Sequence, residues 1–138
     1  MRIDQAAGRT HAGDEVAQAA AAIVSDFGAH RTGDYFAGFA PDATFVFHTH
    51  PERLESRAAY EQLWSTWEAE GFRVEGCTSY EGQVHVLADT VAVFTHRVRT
   101  RLAGRPEPLE ERETIVFRRD ADRDWLAVHE HLSPVSAS

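Results

Sequence analysis

Apolar residues recur along this chain in two different periods, and the change between them divides it. Over residues 14–30, Val16, Ala20, Ile23, Val24 and Phe27 return at helical spacing, and Asp14 and Glu15 suit the positive end of a helix dipole. Gly28 and Gly33 flank the end of that helix, and Thr32 is placed to cap a short second one through Phe39, with Tyr35, Phe36 and Phe39 on its apolar side. Pro41-Asp42 breaks it. The aromatic and β-branched run 44–48 then reads as a strand ending in His48-Thr49-His50-Pro51. Ser56 opens a third helix whose stripe of Ala59, Tyr60, Leu63, Trp64 and Trp67 stops at Gly71. Beyond Gly71 the period becomes two. Strands are expected over 72–80, 84–88, 91–101, 110–119 and 125–133, separated by Glu81-Gly82, Ala88-Asp89, a Gly104-Arg105-Pro106 loop and a turn from Asp120 to Asp124.

Helices followed by a run of strands is an α+β pattern, in which the sheet must cover one face with the helices. A strongly bent sheet wrapped around three N-terminal helices would form a cone with an open mouth. Length sets the scale: 138 residues make one domain over 14–138, and the small, polar, aperiodic residues 1–13 read as a flexible leader. The net charge of -8 argues against nucleic acid or an anionic membrane as partner. Cys77 stands alone, so the chain has no internal disulfide and no thiolate metal cluster, which makes a reducing cytoplasm the simplest compartment. No run approaches the length of a membrane span, and the N-terminus lacks the apolar core of a signal peptide.

Two stretches carry a family resemblance: the Phe39-Ala-Pro-Asp-Ala-Thr44 turn into the first strand, and the terminal Trp125-Leu-Ala-Val128-His129-Glu-His131-Leu-Ser133, a W-x-x-V-H-x-H-x-S motif. Together they resemble the SnoaL-like branch of the nuclear transport factor 2-like superfamily, which includes polyketide cyclases and ketosteroid isomerases. The terminal motif is similar to the association domain of calcium/calmodulin-dependent protein kinase II. The resemblance covers residues 14–133 and implies the cystatin-like roll, a cone-shaped sheet around three helices. It also implies a homodimer paired through the outer sheet face.

The resemblance implies site residues too. Arg97 falls where the kinase domain places a pocket arginine, and Glu113 where the isomerases place an acidic oxyanion-hole residue, which burial could hold neutral as a hydrogen-bond donor. In the expected register Arg97 lies opposite Glu113 and Arg99 opposite Glu111, an arrangement that equally describes cross-strand ion pairs with no chemistry. The isomerase base is unmatched, since Phe47 aligns with it. The helix-one tyrosine is unmatched as well, residues 25–27 being Ser, Asp and Phe, and Ile115 replaces the kinase domain's second arginine. His48 is the substitute base, at the end of an apolar strand and with a pKa naturally near neutrality.

The remaining candidates are for binding. His50 sits one residue further into the loop, and Tyr35 and Trp64 are expected to line a pocket for a flat or hydrophobic ligand, with Trp67 left to packing. In the last strand Leu126, Val128, Glu130 and Leu132 share the more apolar face. That face should pack inward, placing Glu130 in or beside the cavity and His129 and His131 outside. The His48/His50 and His129/His131 pairs raise a zinc or iron site, but the expectation is no metal and no cofactor. The leading function is therefore a domain that binds a small hydrophobic or aromatic molecule; whether it transforms that molecule stays open, and if it is an enzyme the chemistry expected is cofactor-free isomerisation, cyclisation or dehydration. The alternatives are a non-catalytic ligand-binding or oligomerisation module and, third, a metal-dependent enzyme built on the H-x-H pairs.

Overall fold

The computed structural model describes residues 2–120 and 124–135, with residues 2–10 described by their backbone alone. The elements run α1 (Arg2–Gly28), α2 (Thr32–Ala37), β1 (Phe39–Phe47), α3 (Arg57–Ala69), β2 (Val74–Ala88), β3 (Val91–Leu102), β4 (Leu109–Arg118) and β5 (Leu126–Pro134). The five strands form one mixed sheet in the order β1-β5-β4-β3-β2, with β1 parallel to β5 and every other pair antiparallel. This is the expected α+β cone.

Several boundaries differ from the sequence reading, each for a physical reason. The first helix begins at Arg2, so residues 2–13 are helical where an irregular leader was expected. Alanine is the best helix former, and Ala12 continues the buried stripe of Val16, Ala20 and Ile23 by one more turn. Thr32 is the first residue of α2, whose N-cap is Arg31; its hydroxyl accepts the indole N–H of Trp64 at 3.2 Å instead of capping. Pro41 and Asp42 fall inside β1, where the pairing with β5 shifts between Phe39 and Thr44, so the strand bends and continues. The expected Glu81-Gly82 turn is likewise a bulge within one long β2: Tyr80 pairs with Arg97 and Gln83 with Thr95, leaving two residues opposite His96. Glu81 takes a left-handed φ of 54° there, which permits the bend. Ser56 does cap α3, accepting from the Ala59 N–H at 3.1 Å. Part of the turn expected over 120–124 lies outside the described residues.

The core fills the closed end of the cone. Phe36, Phe39, Phe45, Tyr60 and Trp64 pack ring against ring, with the centroids of Phe45 and Tyr60 4.6 Å apart and those of Phe36 and Tyr60 5.0 Å apart. His30 closes the α1–α2 corner. It adopts φ 55°, its Nδ1 accepts the Val74 backbone N–H at 2.9 Å, and its Nε2 donates to Glu68 at 2.7 Å. Gly28 is required where α1 meets β2, because a Cβ there would sit 3.0 Å from the Cys77 nitrogen. None of the described helices is long and apolar enough to cross a membrane.

Candidate active site

Alternation decides which side chains face the helices. On β3 the buried residues are Ala92, Phe94, His96, Val98 and Thr100; on β4 they are Glu111, Glu113, Ile115 and Phe117. The observed pairing is His96 with Glu113, Arg97 with Arg112, Val98 with Glu111 and Arg99 with Glu110. The expected register was therefore one residue out. Arg97 stands on the outer face, away from the cavity, and its partner across the sheet is another arginine. The parity of its own strand requires this, since Arg97 can point inward only if Phe94 and Val98 point out.

The inner face and the helices enclose a cavity of about 430 Å³. Its walls are apolar, formed by Ile23, Phe27, Phe47, Trp67, Phe72, Val98 and Leu132, with the Tyr35 and Tyr60 rings among them. Four glutamates are among the lining residues: Glu70 is exposed just past α3, and Glu111, Glu113 and Glu130 are buried in this apolar space. Arg105 is the one arginine among the described lining residues, and the chain contains no lysine, which removes any side-chain amine that could form an imine.

Each buried carboxyl has a different environment. Glu111 takes the imidazole of His48, Nε2 to Oε2 at 2.5 Å, with the two side chains 28% and 11% exposed. Burial raises the Glu111 pKa, opposed by the His48 hydrogen bond and charge. Glu113 takes His96, Nε2 to Oε1 at 2.6 Å, and the His96 side chain is wholly buried. The other His96 nitrogen, Nδ1, lies 2.6 Å from the Ser79 hydroxyl. Glu130, 2% exposed, has no imidazole: it sits diagonally across the β4–β5 ladder from Glu113, and its Oε2 finds no protein hydrogen-bond partner. Burial, then the charge and hydrogen bond of Glu113, then the charge of Glu111 push the Glu130 carboxyl well above the usual range, which favours its protonated form. The Tyr35 and Tyr60 hydroxyls are 2.9 Å apart. Both phenols are raised by burial first and by the Glu130 charge second, which keeps them protonated.

Of the residues expected from sequence, the structure brings Tyr35, Glu113 and Glu130 to the cavity; His48 is not among the lining residues and reaches the site through its contact with Glu111. His50 is not among the lining residues; its backbone N–H turns back to the Phe47 carbonyl at 3.1 Å. Trp64 and Trp67 exchange their expected places. Trp64 is 1% exposed inside the aromatic core, and Trp67, one turn further along α3, lines the cavity. His129 and His131 face outward as expected, with His129 Nδ1 2.8 Å from Thr44 Oγ1. Among the described residues no group of three or more His, Cys, Asp or Glu is placed to hold a metal ion, so the two H-x-H pairs do not converge on one. Sequence reasoning took Glu111 for an ion-pair partner of Arg99, left His96 as an ordinary strand residue, and counted Tyr60 among the possible lining residues without choosing it. The signal for the first two was present, because Glu111 shares a face with Glu113, and His96 falls midway between the apolar Phe94 and Val98.

The comparisons fit this architecture. No curated protein matches the chain. Among solved structures, a candidate scytalone dehydratase from Novosphingobium aromaticivorans superposes with a TM-score of 0.77 at 12% identity, covering 95% of this chain and 89% of that one. A ketosteroid isomerase-like protein from Erwinia carotovora atroseptica gives 0.75 at 15% identity, covering 91% and 97%. ActVI-ORFA from Streptomyces coelicolor gives 0.69 at 16% identity, covering 88% and 95%. At these identities the likeness is one of fold. The model of the SnoaL-like domain matches residues 16–137, nearly the whole chain, and the protein belongs to that family.

Proposed function

We propose that this SnoaL-like protein binds a small hydrophobic or aromatic molecule and performs cofactor-free acid/base chemistry on it, an isomerisation, cyclisation or dehydration. The observation that carries the proposal is the convergence of three buried carboxyl groups with different hydrogen-bond partners on one apolar cavity, Glu111 with His48, Glu113 with His96 and Glu130 with no imidazole. Groups whose environments separate their pKa values divide into acid and base. In this reading the His48–Glu111 pair is the base, removing a proton from a carbon or hydroxyl of the substrate. Glu130 is the acid, its protonated form favoured by burial among carboxyls and able to donate to a developing oxyanion. Tyr35 and Tyr60 supply further hydroxyl donors. A low-dielectric cavity makes each of these interactions worth more than it would be in water. The names of the neighbours, one a candidate dehydratase and another isomerase-like, point to the same reaction class.

The test is deuterium uptake at the carbon next to the carbonyl of bicyclic aryl ketones in heavy water, followed by proton NMR. Wild-type protein should catalyse the exchange, and H48A and E111Q should each slow it by about 10²-fold or more. Wild-type protein that neither catalyses exchange nor retains any such ketone in native mass spectra would refute the reading.

A homodimer in a reducing cytoplasm belongs to the same proposal. The outer sheet face offers Val46, Val93 and Val116 beside His129 and His131, a mixed surface suited to a second copy. The Cys77 thiol is pushed up to about 12 by burial, so it is inert and fits a chain that needs no disulfide. Native mass spectrometry reads the assembly directly, and a monomer at micromolar concentration would remove the dimer.

A further inference from the structure

The imidazole behind Glu113 belongs to a longer chain of hydrogen bonds. Ser79, His96 and Glu113 are joined by two contacts of 2.6 Å, one at each ring nitrogen. The two ends open into different spaces. Glu113 faces the main cavity, and Ser79 faces a second crevice between α1 and the bend of β2, lined by Ala17, Ala20, Ala21, Ser25 and Gly82. Between them the His96 side chain is 0% exposed and lines neither space. Ser79 pairs with Val98 and so lies diagonally across the ladder from His96, and the β2 bulge follows it, setting Glu81 and Gly82 opposite His96.

A buried histidine that only needs satisfying can bond to backbone or to one carboxylate. Here each nitrogen is given to a group that can both take and give a proton, and the two groups open into separate spaces. We propose that Ser79–His96–Glu113 is a proton wire, supplying and clearing the cavity carboxyls from the second crevice while a ligand fills the mouth. The inference rests on the acid/base reading of the cavity and adds the route by which its protons equilibrate with solvent. Inward, the Nε2–H bond breaks as an O–H bond forms on Glu113. The Ser79 O–H bond breaks as an N–H bond forms at Nδ1, and hydronium in the crevice restores the serine proton. Outward, Nδ1–H returns its proton to Ser79 as Nε2 takes the proton that Glu113 then holds; when Glu113 has meanwhile traded its own proton within the cavity, one delivery and one return exchange the Nε2 site and leave the imidazole in its original tautomer.

The experiment is solvent exchange of the His96 Nε2–H proton in the full-length, ¹⁵N-labelled protein, its resonance assigned by its loss in H96Q. No substrate is needed. A side chain this buried, without a wire, exchanges only when the structure opens; with the wire, it exchanges from the folded state. Wild type and S79T, which keeps a hydroxyl, should exchange quickly, and S79V should exchange at least about tenfold more slowly, the ratio set by the cost of local opening. A purely structural role predicts the opposite sign, since losing the serine bond loosens the ring and speeds exchange. Equal or faster exchange in S79V, with its backbone amide spectrum intact, would overturn the wire. The ketone exchange assay is separate, so the wire can fail while the cavity chemistry stands, and the reverse.

Discussion

Replacing Glu130 by Gln tests the electrostatic centre of this site without altering its shape. In the folded protein the carboxyl is 2% exposed, its Oε2 is unpartnered, and its neighbours Glu113 and Glu111 are acidic, so its pKa lies well above the ordinary glutamate value of 4.5 that describes the unfolded chain. The folded state therefore keeps a proton over a pH range in which the unfolded state has lost it. The contribution to stability is complete below the unfolded pKa and is lost as pH rises toward the folded one. For one proton the slope is about 1.4 kcal/mol per pH unit. Glu111, also raised, adds a contribution of the same sign, weakened by its contact with His48. The difference between wild type and E130Q isolates Glu130: urea unfolding at a series of pH values above the ordinary glutamate pKa should show wild type losing stability relative to the variant as pH rises, by at most about 1.4 kcal/mol per unit, with unchanged m-values. Parallel stability curves would refute the reasoning, because a carboxyl that titrates alike in both states is not buried among carboxyls.

The two tryptophans of α3 should separate packing from binding. W64A, which empties the centre of the aromatic core, should cost about 3–5 kcal/mol in urea unfolding. W67A should cost clearly less and instead weaken retention of aryl ketones in native mass spectra. R97A should leave both ketone binding and deuterium exchange unchanged, since its side chain stands on the outer face; a loss of either would restore the slipped register.

Much of the fold was legible in the sequence because it is carried by periodicity. The α1 and α3 stripes, the Ser56 cap and the alternation after Gly71 all follow from burying one face of each element. Misplaced features are those where the sequence offers two local solutions. Pro41-Asp42 and Glu81-Gly82 read as chain breaks by composition, yet both are absorbed as irregularities within strands whose pairing continues on either side. The site depended on register. Once Arg97 was set opposite Glu113, a plausible ion pair hid the fact that His96, flanked by Phe94 and Val98, must point inward. Glu130 was placed correctly because Leu132 shares its face. Trp64 and Trp67 are three residues apart on one helical face, and nothing in helical spacing says which of them meets the closed end of the cone and which meets its cavity.

In β5, Ala127 and Glu130 both face the interior although three positions separate them, because Val128 has no partner opposite it: Phe117 pairs with Ala127 and Val116 with His129. The strand therefore carries two independent phases, one locked to the packed end and one to the cavity. With every residue kept and the bulge straightened, the strand would have to choose between Ala127 with the two histidines inside and Glu130 with Leu132 inside. With Val128 deleted, strict alternation returns and Ala127 and Glu130 still share a side. Loss of one residue is ordinarily among the most disruptive changes a paired strand can undergo, yet at this position it is the change that leaves the chemistry of the cavity where it was.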